Sequence, residues 1–306
     1  MIKLSTRAFI DEARDLDAYS ILDFLHGYVY ARWPYLYIGI GVGTHPIAKV
    51  YERVLSILAR RKKDSSGFEE NSRGMTDSYH GKVLTHESAR ALVLVQEDVD
   101  FRDLESVIPY PKARDIVLQN PEQIVALECP CRAAREEPCL PLDVCLIVGE
   151  PFASFVLEHH PQRSRKVTQM EAVRVLEEEH ERGHVHHAFL KDAMLGRFYA
   201  ICNCCSCCCG AMQLMRNGSP MITSSGYVAR VDEGVCIGCG SCLESCQFQA
   251  SRLDHGFVQI DEPACMGCGI CVDTCEEGAL RLELDPARGE PLEIIQLMDA
   301  YAETYA

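Results

Sequence analysis

The chain has 306 residues, 47% of them apolar and 25% charged, which excludes a collagen-like or globally disordered protein and leaves room for more than one core. Thirty Lys and Arg stand against 45 Asp and Glu, a formal charge of −15 that argues against nucleic-acid binding, where affinity comes largely from neutralising phosphates. Eighteen cysteines, all between residues 129 and 275, make up about 6% of the chain, below the ~8–10% of short secreted disulfide scaffolds.

Charge appears at once at the N-terminus, with Lys3, Arg7, Asp11, Glu12, Arg14, Asp15 and Asp17, so no secretory signal is read there. The longest uncharged apolar interval, 33–48, is too short for a spanning helix and is broken by Pro34, Gly39, Gly41, Gly43 and Pro46. These features predict a cytoplasmic protein without a transmembrane segment. In that reducing compartment, dense cysteines point to metal or redox chemistry rather than to disulfides.

In chain order, Asp17 is the expected N-cap of a helix over 17–32, with Ile21, Leu22, Leu25 and Val29 on one face. The aromatic stretch that follows, with Trp33, Tyr35, Leu36, Tyr37 and Ile38, reads as buried core rather than as a partner-binding patch. Its Gly39-x-Gly41-x-Gly43 lacks the spacing of a dinucleotide loop. Thr44 is expected to cap a second helix carrying Ile47, Val50, Tyr51, Val54 and Leu58, with Arg60, Arg61, Lys62 and Lys63 at its C-terminal end. Residues 64–80 have linker composition.

Thr85 is placed to cap a short helix reaching Gln96, and 111–119 reads as another. Asn120-Pro121 reads as a turn, and 124–127 as a strand delivering Cys129. Thr168 and Glu171 form a capping box for a helix stopped by Gly183, and 198–201 is a strand delivering Cys202. Two helix–strand units thus each end at a cysteine group. Residues 286–306 form an acidic, helical tail.

The strongest motif occurs twice. Cys236, Cys239, Cys242 and Cys246 follow the spacing C-x2-C-x2-C-x3-C, and Cys265, Cys268, Cys271 and Cys275 repeat it 29 positions later. In this pattern the fourth cysteine binds the other cluster. One [4Fe–4S] cluster then takes Cys236, Cys239, Cys242 and Cys275, and the second takes Cys265, Cys268, Cys271 and Cys246. The intervening glycines let the backbone approach the sulfides. Zinc favours one four-ligand set per ion and fits the doubled order poorly. Residues 227–284 resemble the bacterial-type dicluster ferredoxin domain, with one departure: Gln247 and Glu276 stand where that family usually has proline.

Ten further cysteines lie upstream: Cys129, Cys131, Cys139, Cys145, Cys202, Cys204, Cys205, Cys207, Cys208 and Cys209. Six free thiols within eight residues would oxidise and cross-link, so metal ligation is the economical reading. Ten thiolates suffice for two four-iron clusters with two to spare, for one cluster plus zinc, or for a single larger or non-cubane cluster. The order Cys129-x-Cys131-Arg132, then 141–146, Gly183-x-Val-His186 and Cys202-Asn-Cys-Cys-x-Cys-Cys-Cys209 resembles a family of anaerobe proteins. In it a CxCR…CNCCxCCC cysteine-rich domain precedes a dicluster ferredoxin domain; the likeness covers 105–284.

The resemblance implies a cluster ligand or supporting role for His186. Arg132 can either donate to cluster sulfides or form an ordinary ion pair. His180, in line with Val173 and Leu176, reads as a packed histidine.

The expected fold class is α+β: a helical N-terminal region (1–63), a linker (64–80), an α/β cysteine-rich cluster domain (81–215), a dicluster ferredoxin-like domain (216–285) and the tail (286–306). The expected function is low-potential electron relay between the two ferredoxin-type clusters and one or two extra clusters in 129–209, as subunit or partner of an anaerobic oxidoreductase. A flavoprotein or membrane reductase is the expected kind of redox partner. The alternative is a reductase with an open-site or non-cubane cluster at Cys202–Cys209, acting on a disulfide or a similar two-electron acceptor.

Overall fold

The computed structural model describes residues 2–17, 19–48, 79–110 and 114–305. Most of the helix expected after Thr44, and the linker, lie outside the described residues.

Three helices open the chain: α1 (Leu4–Arg14), α2 (Ile21–Arg32) and α3 (Pro34–Gly41). The cap of α2 is Ser20, not Asp17. The Ser20 hydroxyl accepts from the Asp23 backbone N–H while the Asp23 carboxylate accepts from the Ser20 N–H, a complete capping box. The aliphatic face is not the inward one. Ile21, Leu22, Leu25 and Val29 are exposed, whereas Phe24, Tyr28 and Ala31 pack on the core, because two aromatic rings bury more area than the aliphatic stripe.

The body of the chain is an eight-stranded sheet. Its strands are β1 (Tyr79–Leu84), β2 (Val99–Phe101), β3 (Ile116–Leu127), β4 (Cys145–Glu150), β5 (Ser164–Val167), β6 (Val185–Lys191), β7 (Arg197–Cys204) and β8 (Ile222–Thr223). Their order is β2-β3-β4-β7-β6-β1-β8, with β5 also on β3; every pairing is antiparallel except β1 with β8. Helix α4 (His86–Val93) follows Thr85, whose hydroxyl accepts from the Ser88 N–H as expected. Helices α5 (Pro130–Ala133), α6 (Phe152–His159), α7 (Gln169–Glu181) and α8 (Gly210–Arg216) occupy the connections. The Thr168–Glu171 capping box opens α7, and Gly183 follows it at φ +75°.

The helix read over 111–119 is absent where the chain is described. Ile116, Val117 and Leu118 are buried on both faces of β3, where β-branched residues pack well. Asn120-Pro121 is a bulge within β3 rather than a turn: Asn120 has φ +48° and the register slips between Gln119 and Ile124. Proline, lacking an N–H, is tolerated at such a bulge.

Side-chain alternation along the strands builds two cores. Val125, Leu127, Cys145, Ile147 and Phe189 face α1, α2 and α6, where Phe9 meets Phe152 and Phe155 edge-on. Ile124, Ala126, Leu146, Val148, Ala188 and Leu190 face α4 and α7. That second face also takes the C-terminus. After a 3-10 turn (Pro286–Arg288), Leu292 and Ile294 are buried at the start of α11 (Ile294–Tyr305), which packs against α4.

Between the sheet and α11 lies a small module of β9 (Tyr227–Val231), α9 (Ser241–Ser245), β10 (Ser251–Asp254), β11 (Phe257–Ile260), α10 (Ile270–Asp273) and β12 (Leu280–Leu284). Strand β9 pairs with β12 and β10 with β11, over a core of Val228, Ala229, Val258 and Leu280. The chain is thus α+β with a ferredoxin-like C-terminal part.

Candidate metal centres

Strand pairing brings three cysteine-bearing segments to one end of the sheet. Cys145 opens β4 opposite Leu127, two residues before Cys129; Leu146 in turn faces Ile201, next to Cys202. Along β7, Cys202 and Cys204 share one face and Asn203 takes the other, as the two-residue period of a strand requires.

The ten upstream thiols fall into two groups. Six stand around one cavity as a ring, in the order Cys202, Cys145, Cys129, Cys131, Cys209 and Cys204, each shifting its neighbours' ionisation. They line a cavity of about 220 Å³, which Cys205 and Cys208 also reach and whose other walls are largely apolar: Ile147, Phe152, Phe155 and Val156 from the body, and Tyr30, Tyr37, Ile38 and Val42 from α2, α3 and the residue after it. The hydrogen bond with Cys131, reinforced by burial, pushes the Cys129 thiol up to about 12. The hydrogen bond with Cys209 lowers Cys204, but burial together with the charges of Cys202, Cys129 and Cys131 outweighs it and pushes the thiol up to about 12. Such thiols become thiolates only when a cation joins them, which is what a metal core supplies.

The other four, Cys139, Cys205, Cys207 and Cys208, form a compact knot whose sulfurs all lie within 4.8 Å of one another. Cys139 Sγ is 3.2 Å from Cys207 Sγ, which is 3.7 Å from Cys208 Sγ. The loop is held by its carbonyls: Arg135 donates to the Cys208 oxygen at 2.8 and 3.2 Å, Gln213 to that of Cys207, and Arg216 to that of Ser206. Neighbouring cysteines therefore serve different groups. Cys204 and Cys205 part between ring and knot, and so do Cys209 and Cys208.

Arg132, buried beside the ring, is a structural clamp. It pairs with the buried Glu179 and donates to the carbonyls of Pro141 (2.5 Å) and Asn203 (3.1 Å), while Glu179 also accepts from the His184 Nδ1–H at 2.7 Å. Burial raises the Glu179 carboxyl, but hydrogen bonds from His184 and Arg132 more than offset it and hold it below the usual range. The Arg132 Nε is buried without a hydrogen-bond partner, and the residue is among those lining the cavity.

His186 stands elsewhere. Its partner across β6–β7 is Asn203, so its ring lies on the sheet face opposite Cys202 and Cys204, beside His86 and His180. That alternation turns His186 away from Cys202 and Cys204. His180 is no simply packed residue, since its Nε2 bonds Asp273 Oδ2 at 2.7 Å.

The small module holds both cysteine runs. Burial raises the Cys242 thiol, and the charges of Cys275, Cys236 and Cys239 add to it. Burial likewise raises Cys271, and the charges of Cys268, Cys265, Cys246 and Cys242 add to it. The two fourth cysteines are treated alike: Ala250 N–H donates to Cys246 Sγ and Ala279 N–H to Cys275 Sγ, each at 3.3 Å. The turn between them repeats too, with Gln249 at φ +54° where the second copy has Gly278 at +64°. Gly238 and Gly267 are required by the neighbouring backbone. A Cβ there would lie 2.3 Å from the Gly256 oxygen and 2.2 Å from the Tyr227 oxygen.

Gln247, in the position where proline was expected, has a task of its own. Its Oε1 accepts from the Ser206 backbone N–H at 2.8 Å, joining the run that holds Cys246 to the middle of the knot loop.

Residues 228–276 match the family model described as a 4Fe-4S dicluster domain. No curated protein matches the chain. Among the described residues, no helix is long and apolar enough to cross a membrane. The 4Fe-4S domain together with the cysteine-rich region points to iron–sulfur electron transfer. The contribution of α2 and α3 to the cavity wall was not legible from their residues, which carry no metal-binding pattern.

Proposed function

We propose that the chain is an iron–sulfur electron-transfer protein serving an anaerobic oxidoreductase, with two [4Fe–4S] clusters in the small module and a further cluster in the six-thiol ring. The observation that carries this is the division of the ten upstream cysteines into a ring around a cavity and a compact knot. When bound, the clusters supply one-electron transfer at low potential. The protein's own residues do the rest. Cys236, Cys239, Cys242 and Cys275 hold one cluster of the module, and Cys265, Cys268, Cys271 and Cys246 the other. Backbone N–H donors at Cys246 and Cys275 stabilise negative charge on sulfur, a recognised lever on potential. Around the ring, Phe152, Phe155, Ile38 and Val42 exclude water, and the Arg132 Nε–H is the donor available to a sulfide or thiolate.

The knot fits a different occupant. With a metal–sulfur distance of ~2.3 Å, sulfurs around one tetrahedral ion stand about 3.8 Å apart; a cubane spreads its thiolates over four irons. The 3.2 and 3.7 Å spacings and the 4.8 Å limit favour a single tetrahedral ion, Zn²⁺ first. Gln247 ties this knot to Cys246, so the proposed route from module to ring passes a firmly held contact.

A second reading, a reductase acting on a disulfide or similar acceptor at the ring, is favoured by one observation. Lys191, lowered to about 8 by burial, lines the same cavity, where Tyr30 and Tyr199 share a 2.7 Å hydrogen bond. A proton source beside a redox centre suits two-electron reduction.

Paired variants test the assignment. Cys129→Ser is expected to lose iron and sulfide while keeping zinc; Cys139→Ser is expected to lose zinc while keeping iron. Equal iron loss in both would contradict the division. Anaerobic titration should take up roughly one electron per cluster, three in all, and passage of these to a viologen acceptor without substrate turnover separates relay from reductase.

A further inference from the structure

His86 begins α4, His180 lies in the last turn of α7 and His186 is on β6, yet their ring nitrogens converge within 4.8 Å on the sheet face away from Cys202 and Cys204. The tautomers follow from the partners. The Asn203 Nδ2 donates to the Val144 carbonyl at 2.7 Å, which turns its Oδ1 toward His186. The His186 Nδ1, 2.6 Å from that oxygen, must therefore carry the proton, leaving the lone pair on Nε2. On His180 the carboxylate of Asp273 accepts from Nε2–H, leaving the lone pair on Nδ1; that Nδ1 is buried with no hydrogen-bond partner. His86 Nδ1 lies 3.3 Å from His186 Nε2.

We infer that His86 Nδ1, His180 Nδ1 and His186 Nε2 form a binding site for a first-row divalent metal ion, with a fourth position left for water. The chemistry fits in three respects. Imidazole suits zinc and its neighbours in the series, and three histidines with an open position are a recurring zinc arrangement. At a metal–nitrogen distance of ~2.0–2.1 Å, tetrahedral nitrogens stand about 3.3–3.4 Å apart, the spacing found between His86 and His186. Two of the three rings have their remote nitrogen anchored, by Asn203 and Asp273, as metal-bound histidines regularly do. An ion here would clamp the small module to the sheet, because Asp273 belongs to α10 between Cys271 and Cys275. The site is independent of whether the cysteines carry electrons.

The test uses the holoprotein, prepared anaerobically and equilibrated with Zn²⁺, then washed. Zinc per chain and the zinc K-edge absorption fine structure are compared with those of His86→Ala. The wild type is expected to show a nitrogen shell near ~2.0 Å with imidazole scattering, distinct from any sulfur shell at ~2.3 Å from the knot. His86→Ala should lose one zinc and the nitrogen shell while iron and sulfide per chain stay constant. Zinc content and shell unchanged by the substitution, or no nitrogen shell in the wild type, would overturn the site. Should His86→Ala also lose iron, Asp273→Asn decides. A Zn²⁺ affinity roughly 10- to 100-fold weaker, measured against a competing chelator, supports the site, and an unchanged affinity overturns it.

Discussion

Several single residues carry more than their type suggests. Gln247 replaces an expected proline and accepts the Ser206 N–H, so Gln247→Ala and Gln247→Pro should both lose about 1 kcal/mol, read as a lowered thermal midpoint. A midpoint unchanged in both would remove the contact from the account. Arg132 and Glu179 are each 1% exposed, so Arg132→Ala leaves a carboxylate buried without its main partner. The expected cost is ~3–5 kcal/mol in denaturant unfolding, partly recovered in Arg132→Ala/Glu179→Ala. Gly267→Ala is predicted to be worse than Gly240→Ala. Both have positive φ, but only the first drives a Cβ into a backbone carbonyl, whereas nothing lies within 4 Å of the second. Comparable unfolding midpoints for the two alanine variants would count against that distinction. The cysteine repeats were legible because ligand spacing is local. The sorting of Cys204 from Cys205, and of Cys208 from Cys209, was not, because it depends on which way a strand end and the following turn face.

At the scale of elements, the capped helices were legible where cap and periodicity agree, as at Thr85 and Thr168. They were less legible where an aromatic face outweighed an aliphatic one, as in α2, and misread where a buried strand reads as a helix, as in β3. Docking of α1 onto α6 depends on His159, which lies 2.9 Å from Thr6 Oγ1 and stacks on Phe155. Burial first, then Lys3 and Arg32, lower this histidine to about 4. The unfolded chain, with a pKa near ~6.5, takes the proton first, so the contribution is complete above ~6.5 and declines as pH falls toward 4. Corrected for intrinsic rates, amide exchange in α1 should accelerate between pH 7 and pH 5, and His159→Gln should flatten that dependence. An identical pH profile in the variant would assign the effect elsewhere.

For the whole molecule, the formal charge of −15 counts the cysteines as neutral. Four thiolates on a 2+ core add about −2 per cluster, deepening the negative field. Reduction by a cationic viologen radical should therefore slow as salt rises, and reduction by anionic dithionite should quicken. The same salt dependence for both donors would mean that the net field does not steer encounter. The molecule is also more tightly joined than the chain order suggests. Helices α1 to α3 help enclose the thiol ring, and α11 returns from the small module to cover the sheet's second face. Long-range packing of this kind leaves no local pattern, which is why the sequence reading had a separate helical region and a tail.

The most direct measurement is iron, acid-labile sulfide and zinc per chain on anaerobically prepared protein, paired with Mössbauer spectra. The account predicts about twelve irons with matching sulfide, eight in the small module and four in the ring, and zinc in the knot. About eight irons, with spectra of the two module clusters alone, would contradict it by leaving the ring without a cluster.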